Sequence, residues 1–233
     1  METPPHTYRL LDDELTALRH QILEMGGWVE KQIANALTAL TERDSDLAAK
    51  TIERDHTVNR LDVEIDDACI RLLARYHPAA RDLRLISIAL KITTDLERMG
   101  DLAASIAQCA QELNMEPPLL PLIDIPAMAA TAQRMLRNSL DAFVREDTAL
   151  ALKVCAADKE IDALHDQFFR ILLTYMAENP QTVSRVIRLS LIAKALERIA
   201  DHATNVAELV VFMVGGKSIR HLSVLPPVPE AGG

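Results

Sequence analysis

Leu96-Glu97-Arg98-Met99-Gly100-Asp101 recurs 100 positions later as Leu196-Glu197-Arg198-Ile199-Ala200-Asp201, and the match extends to Ala103/Ala203 and Ala107/Ala207. In both copies the acids stand at i and i+4, which on an α-helix puts two carboxylates on one face about one turn apart. Like charges at that spacing weaken the helix unless a cation sits between them. A metal ion is one such cation, and a facing Arg or Lys is another. Around the first copy Leu85, Ala89, Ile92, Leu96, Met99, Ala103, Ile106, Ala110 and Leu113 alternate steps of four and three. Leu189, Ile192, Leu196, Ile199, Ala203, Val206, Val210 and Met213 do the same around the second. Both are bundle seams, and each Glu/Asp pair falls roughly 100–140° around the helix from its Leu, on the flank bordering a neighbouring helix.

The 233 residues are 49% hydrophobic but only 3% aromatic, with few glycines and with prolines mostly outside the periodic stretches, as an all-helical chain requires. A formal net charge of −9 without any basic run argues against a nucleic-acid partner. Cys69, Cys109 and Cys155 show no CxxC pairing, so neither a zinc ribbon nor a disulfide framework is expected, and each reads as a small buried hydrophobe. The start of the chain lacks the pattern of a secretory signal, and no apolar run is long enough to span a bilayer, so a cytoplasmic location is expected.

Six helices are expected. The first covers about residues 8–42, with Gly26-Gly27 marking a bend or a close helix contact. Asp44-Ser45-Asp46 caps a second that ends at His77-Pro78. A third covers about 80–113. After the proline-rich connection 114–121 the plan returns: a fourth over about 125–145, a turn at Glu146-Asp147-Thr148, a fifth closed by Glu178-Asn179-Pro180, and a sixth over about 181–214 stopped by Gly215-Gly216. The expected architecture is therefore two tandem three-helix bundles related by internal duplication, over 8–114 and 122–214. The tail 215–233, proline-rich at its end, is expected to be disordered there.

The middle helix of each unit carries its own ligand-type ridge: Asp55, Asn59, Asp62 and Asp66 in the first, Asp158, Asp162 and His165 in the second. Each ridge lies within roughly 40–100° of its seam, so antiparallel neighbours would bring two acidic ridges together in a groove. A lone ExxxD match fits any solvated helix flank, but the repeated Leu-Glu-Arg-x-x-Asp-x-Ala favours oxygen-ligand metal binding. The candidate metal ligands are Asp55, Asn59, Glu97 and Asp101 in the first unit and Asp158, Asp162, Glu197, Asp201 and Asn205 in the second. Arg98 and Arg198 point further round, as surface ion-pair formers. Asp12 and Asp13 are adjacent, about 100° apart on a helix, and are not expected to be ligands.

These motifs, with Asp55-x-x-Val58-Asn59-x-Leu61, Asp158-x-x-Ile161-Asp162-x-Leu164, Met25-Gly26 in the first helix and Gly216-Lys217-Ser218-Ile219-Arg220-His221 near the end, resemble the PhoU family of bacterial and archaeal phosphate-transport regulators over nearly the whole chain. The resemblance implies a cytoplasmic protein whose repeated E(D)xxxD motifs bind metal ions or clusters, iron or zinc among them. It also implies a negative regulator that links the phosphate ABC transporter to a membrane sensor histidine kinase, meeting the membrane only through those partners. Homodimerisation is a further expectation. Asn59 and Ala195 depart from the family pattern by standing in place of acids, so the first metal site is expected to be the weaker.

Chemistry alone does not choose among iron, zinc, manganese and magnesium for such sites. Two other readings stay open. A ferritin-like di-iron enzyme needs Glu-x-x-His on two helices, and Glu53-Arg54-Asp55-His56 supplies one such motif while Asp162-Ala163-Leu164-His165 is a near miss. A metal-free helical adaptor is the other. No nucleophile–base pairing or phosphate-cradling glycine loop appears, so no catalytic residue is assigned and the chain is not expected to be an enzyme.

Overall fold

A computed structural model of the chain describes residues 6–119 and 125–220. The expectations for the first residues, for 120–124 of the proline-rich connection and for the tail beyond 220 lie outside the described residues. The order is α1 (His6–Thr41), α2 (Ser45–Glu53), α3 (Asp55–Tyr76), α4 (Ala80–Asn114), α5 (Ile125–Arg145), α6 (Thr148–Glu178), a 3-10 turn (Pro180–Thr182) and α7 (Val183–Gly215). Among the described residues there is no strand, and no helix is long and apolar enough to cross a membrane.

Both repeats start their middle helix with the same local chemistry. Arg43 and Glu146 turn the chain at φ 57° and 53°, and the Asp that follows each accepts the backbone N–H three residues on, Leu47 to Asp44 and Leu150 to Asp147, at 2.9 Å. Such caps stabilise a helix start by about 1 kcal/mol. The second expected helix is in fact two, because the backbone at Arg54 (φ −72°, ψ −7°) leaves the α-helical path for a single tight turn. That break separates Glu53 from His56, whose ring Nδ1 contacts the Glu53 carbonyl, so the Glu-x-x-His that a ferritin-like centre needs on one helix is not formed there. Likewise the sixth expected helix begins at Val183, after the 3-10 turn.

α4 and α7 run antiparallel through the middle, fixed at one end by Arg188 on Glu112 and further along by His202 on Asp95. α1, α2 and α3 pack on α4, α5 and α6 pack on α7, and α1 also touches α5. Every seam residue named above for the two Glu/Asp helices is buried. One apolar core runs from α1 to α7 without a gap between the repeats. Each buried Leu or Ile contributes about 1.5–3 kcal/mol of transfer free energy, so the shared seam is the main force joining the halves.

Gly26 sits inside an unbroken α1, and its role is contact: a Cβ there would collide with Cδ1 of Leu140 on α5. Gly27 faces open space.

Candidate functional site

α6 and α7 are joined by only a few residues and run side by side, which sets the carboxylates of Asp158 and Asp162 against those of Glu197 and Asp201. Burial pushes the Asp158 carboxyl above its ordinary pKa, Asp162 and Glu197 push it further, and the Thr204 hydroxyl, donating to Oδ1 at 3.2 Å, works the other way. Asp201 is raised by burial, then by Glu197, Asp158 and Asp162, with Lys194 opposing. Lys194 forms an ion pair with Glu197. Four carboxylates therefore share one ammonium, with Asp158 and Glu197 half-buried and Asp162 and Asp201 at the surface.

The first repeat is built differently. Glu97 is raised by burial and then by Asp101, while Arg98 lowers it and Asp62 on α3 raises it. Arg98 is the exposed ion-pair former expected of it, and its partners are Glu97 and Asp101 of its own ridge, each at 3.4 Å. Its flexible stem lets an exposed guanidinium bend over its own helix, which fixed angular spacing does not register. Asp55 accepts Asn59 Nδ2 at 3.1 Å and, at 3.3 Å, Nε2 of Gln32, which α1 carries into the core. Asp55 and Asn59 thus spend hydrogen bonds on each other and on α1. The α3 carboxylate that acts on Glu97 is Asp62, itself raised by burial and by Asp66.

Asn205 also departs from its expected place. Its amide donates to Oδ1 of Asp95 on α4 at 3.2 Å, and Nδ1 of His202 meets the same oxygen at 2.8 Å. This joins α7 to α4 across the repeats, which no spacing within one helix reveals; the one signal was that Asp95 has only Ala195 opposite it in the repeat. Asp12 lines a separate cavity of about 490 Å³ with Arg19, Arg81 and Arg84, and Asp13 is exposed.

Among the described residues no three His, Cys, Asp or Glu side chains are drawn into metal-binding geometry. The donor chemistry in the second repeat nevertheless fits a hard cation: oxygen donors only, more negative charge than Lys194 offsets, and Asp158 and Asp201 carboxyls raised by burial and by neighbouring carboxylates. The neighbouring Cys155 thiol, pushed up to about 12 by burial and by Glu208 and Asp158, stays protonated and offers no thiolate.

The chain is similar to known proteins along most of its length. The PhoU domain family model matches residues 22–110 and again 125–210. A Pseudomonas putida protein described as a phosphate-specific transport system accessory protein PhoU homolog is 42% identical over 98% of this chain and 90% of its own length. The Escherichia coli (strain K12) phosphate-specific transport system accessory protein PhoU is 37% identical over 90% of this chain and 87% of its own. The crystal structure of PhoU from Pseudomonas aeruginosa superposes with a TM-score of 0.86 at 42% identity, covering 88% of this chain and 99% of that one.

Proposed function

The chain belongs to the PhoU family, and from that premise we propose that it is an accessory regulator of phosphate transport that restrains uptake through the phosphate ABC transporter and reports to a membrane sensor histidine kinase. It acts by binding, from the cytoplasm and without catalysis, and reaches the membrane only through its partners; self-association as a homodimer accompanies this role. The observation that carries the reading is that similarity to proteins described as phosphate-specific transport system accessory proteins spans both repeats and nearly the whole chain.

Asp158, Asp162, Glu197 and Asp201 hold a divalent or ferric ion, iron, zinc, manganese or magnesium, and Glu97, Asp101 and Asp62 hold a second, weaker one with Arg98 in competition. Such a cation supplies positive charge where the carboxylates repel, cross-linking the two helices of each hairpin. Deleting the gene should raise phosphate-responsive expression and uptake in phosphate-rich medium, with restoration by the wild-type chain. Unchanged expression and uptake after deletion would remove the assignment.

A further inference from the structure

The acidic ridges of the second repeat do not stop at the carboxylates. On α6, His165, Phe169 and Leu173 follow Asp162 at steps of three, four and four; His165 and Phe169 stack at 6.4 Å between centroids, and Phe169 and Leu173 are each 44% exposed. On α7, Val183, Ile187 and Leu191 precede Asp201 and fall within about 80° of it around the helix. They are 36%, 52% and 56% exposed. Since the two helices are antiparallel and their acidic residues face one another, both apolar stripes continue the same groove toward the helix–helix turn.

The duplication supplies an internal control. At the matching places the first repeat has Asp66 and Ile70 on α3, and Leu83, Ser87 and Lys91 on α4. Ile70 and Leu83 are themselves 61% and 44% exposed, so the same fold carries three polar and two apolar side chains here, whereas the second repeat exposes five large apolar ones without needing them for its core. Exposed apolar residues gathered in one place mark an interaction surface.

We infer that the α6–α7 hairpin docks an amphipathic helix of a partner protein, whose apolar side chains at i and i+4 lie on Phe169, Leu173, Ile187 and Leu191 and whose Lys or Arg residues, one or two turns on, meet the negative charge that the Asp158, Asp162, Glu197, Asp201 cluster retains beside Lys194 and a bound divalent ion. Charge complementarity selects this occupant. A second copy of the chain, at a formal net charge of −9 and with no basic run, offers no matching line of cations. An anionic lipid surface would be repelled by the carboxylates, and Lys194 is already engaged by Glu197. The inference rests on the reading that the chain regulates by binding, and it names the face that does so.

A photo-crosslinking residue placed at position 187 in the full chain, with position 87 as control, tests it in cells, the captured segment being sequenced by mass spectrometry. A net-positive amphipathic helical segment should be captured at 187 at about tenfold the yield at 87. Capture of an acidic segment, of this chain itself, of lipid, or of nothing overturns the inference. So does binding of the purified protein to vesicles of phosphatidylethanolamine and phosphatidylglycerol that is lost in Ile187→Ser/Leu191→Ser. That double variant puts small polar side chains on an exposed face, so it should fold and hold metal as the wild type does while losing about tenfold in repression of phosphate-responsive genes. If it represses normally while the gene deletion derepresses, the docking face is wrong and the regulatory function stands. If the deletion itself has no effect, the functional reading has failed first.

Discussion

At Asp201 a carboxyl that burial already disfavours as an anion stands with Glu197, Asp158 and Asp162 around it. The folded-state pKa values of Asp201 and Asp158 are raised above their unfolded values, so the stability they contribute is present in acid and lost as pH rises through the raised values. Metal-free protein should therefore lose the part of its stability that these groups supply as pH rises from the ordinary Asp value of about 3.9, and Asp158→Asn/Asp201→Asn should flatten that slope. Each removed charge should raise metal-free stability at neutral pH by a few tenths of a kcal/mol, on the scale of a like-charge i,i+4 pair. Calorimetry across pH, with and without manganese, checks both; a double variant that keeps the wild-type slope would show that these groups do not interact. The same charge count ranks the two sites. Four carboxylates with one Lys should bind a hard ion more tightly than Glu97, Asp101 and Asp62 beneath Arg98. In a ferrous or manganese titration, Glu197→Gln/Asp201→Asn should lose the tight phase and Glu97→Gln/Asp101→Asn should keep it; the reverse outcome would invert the ranking.

Among the elements, α1 shows how far a periodic pattern reaches. Leu11, Leu15, Leu18, Ile22, Met25, Val29, Ile33, Ala36 and Leu40 are all buried, as four-and-three spacing predicts. The two glycines inside that pattern look alike in sequence and differ in space, because only Gly26 meets α5 at Leu140. Gly26→Val should cost about 1–3 kcal/mol through overpacking, and Gly27→Ala should add about 0.5–1 kcal/mol by restricting the unfolded chain and improving helix propensity. Urea melts of the two variants measure this, and equal shifts of one sign would show that the Leu140 contact is not tight. The fifth expected helix reads as an unbroken seam, yet Leu150, Ala157, Leu164, Ile171 and Tyr175 are only partly buried along α6. Periodicity reports which residues share a face; it does not report how much of that face a neighbour covers.

Over the whole molecule, the two repeats share one core and are pinned together by Asp95 to His202 and Asn205. Unfolding should be a single cooperative transition, and residues 1–119 expressed alone should not show one, because the face of α4 that packs on α7 would be left in water. Asp95→Ala should lower the midpoint by the equivalent of about 1–3 kcal/mol, the cost of stranding half-buried donors, without splitting the transition. Two resolved transitions in the full chain, or a stable cooperative 1–119 fragment, would show that the halves are independent.

The sequence by itself determined the all-helical class, the seams, the doubled Glu/Asp ridges and the family, because seam spacing and local cap chemistry are properties of a single segment and need no knowledge of its neighbours. Leu96 and Leu196, with their partners at three and four residues, could hardly have faced anywhere else. Tertiary structure alone decided which carboxylates meet. Asp62 rather than Asp55 acts on Glu97, and Asn205 turns to Asp95. Each of those choices is made between helices. Angular position on one helix fixes a direction to within a neighbour's width, whereas a hydrogen bond is settled within a few tenths of an ångström.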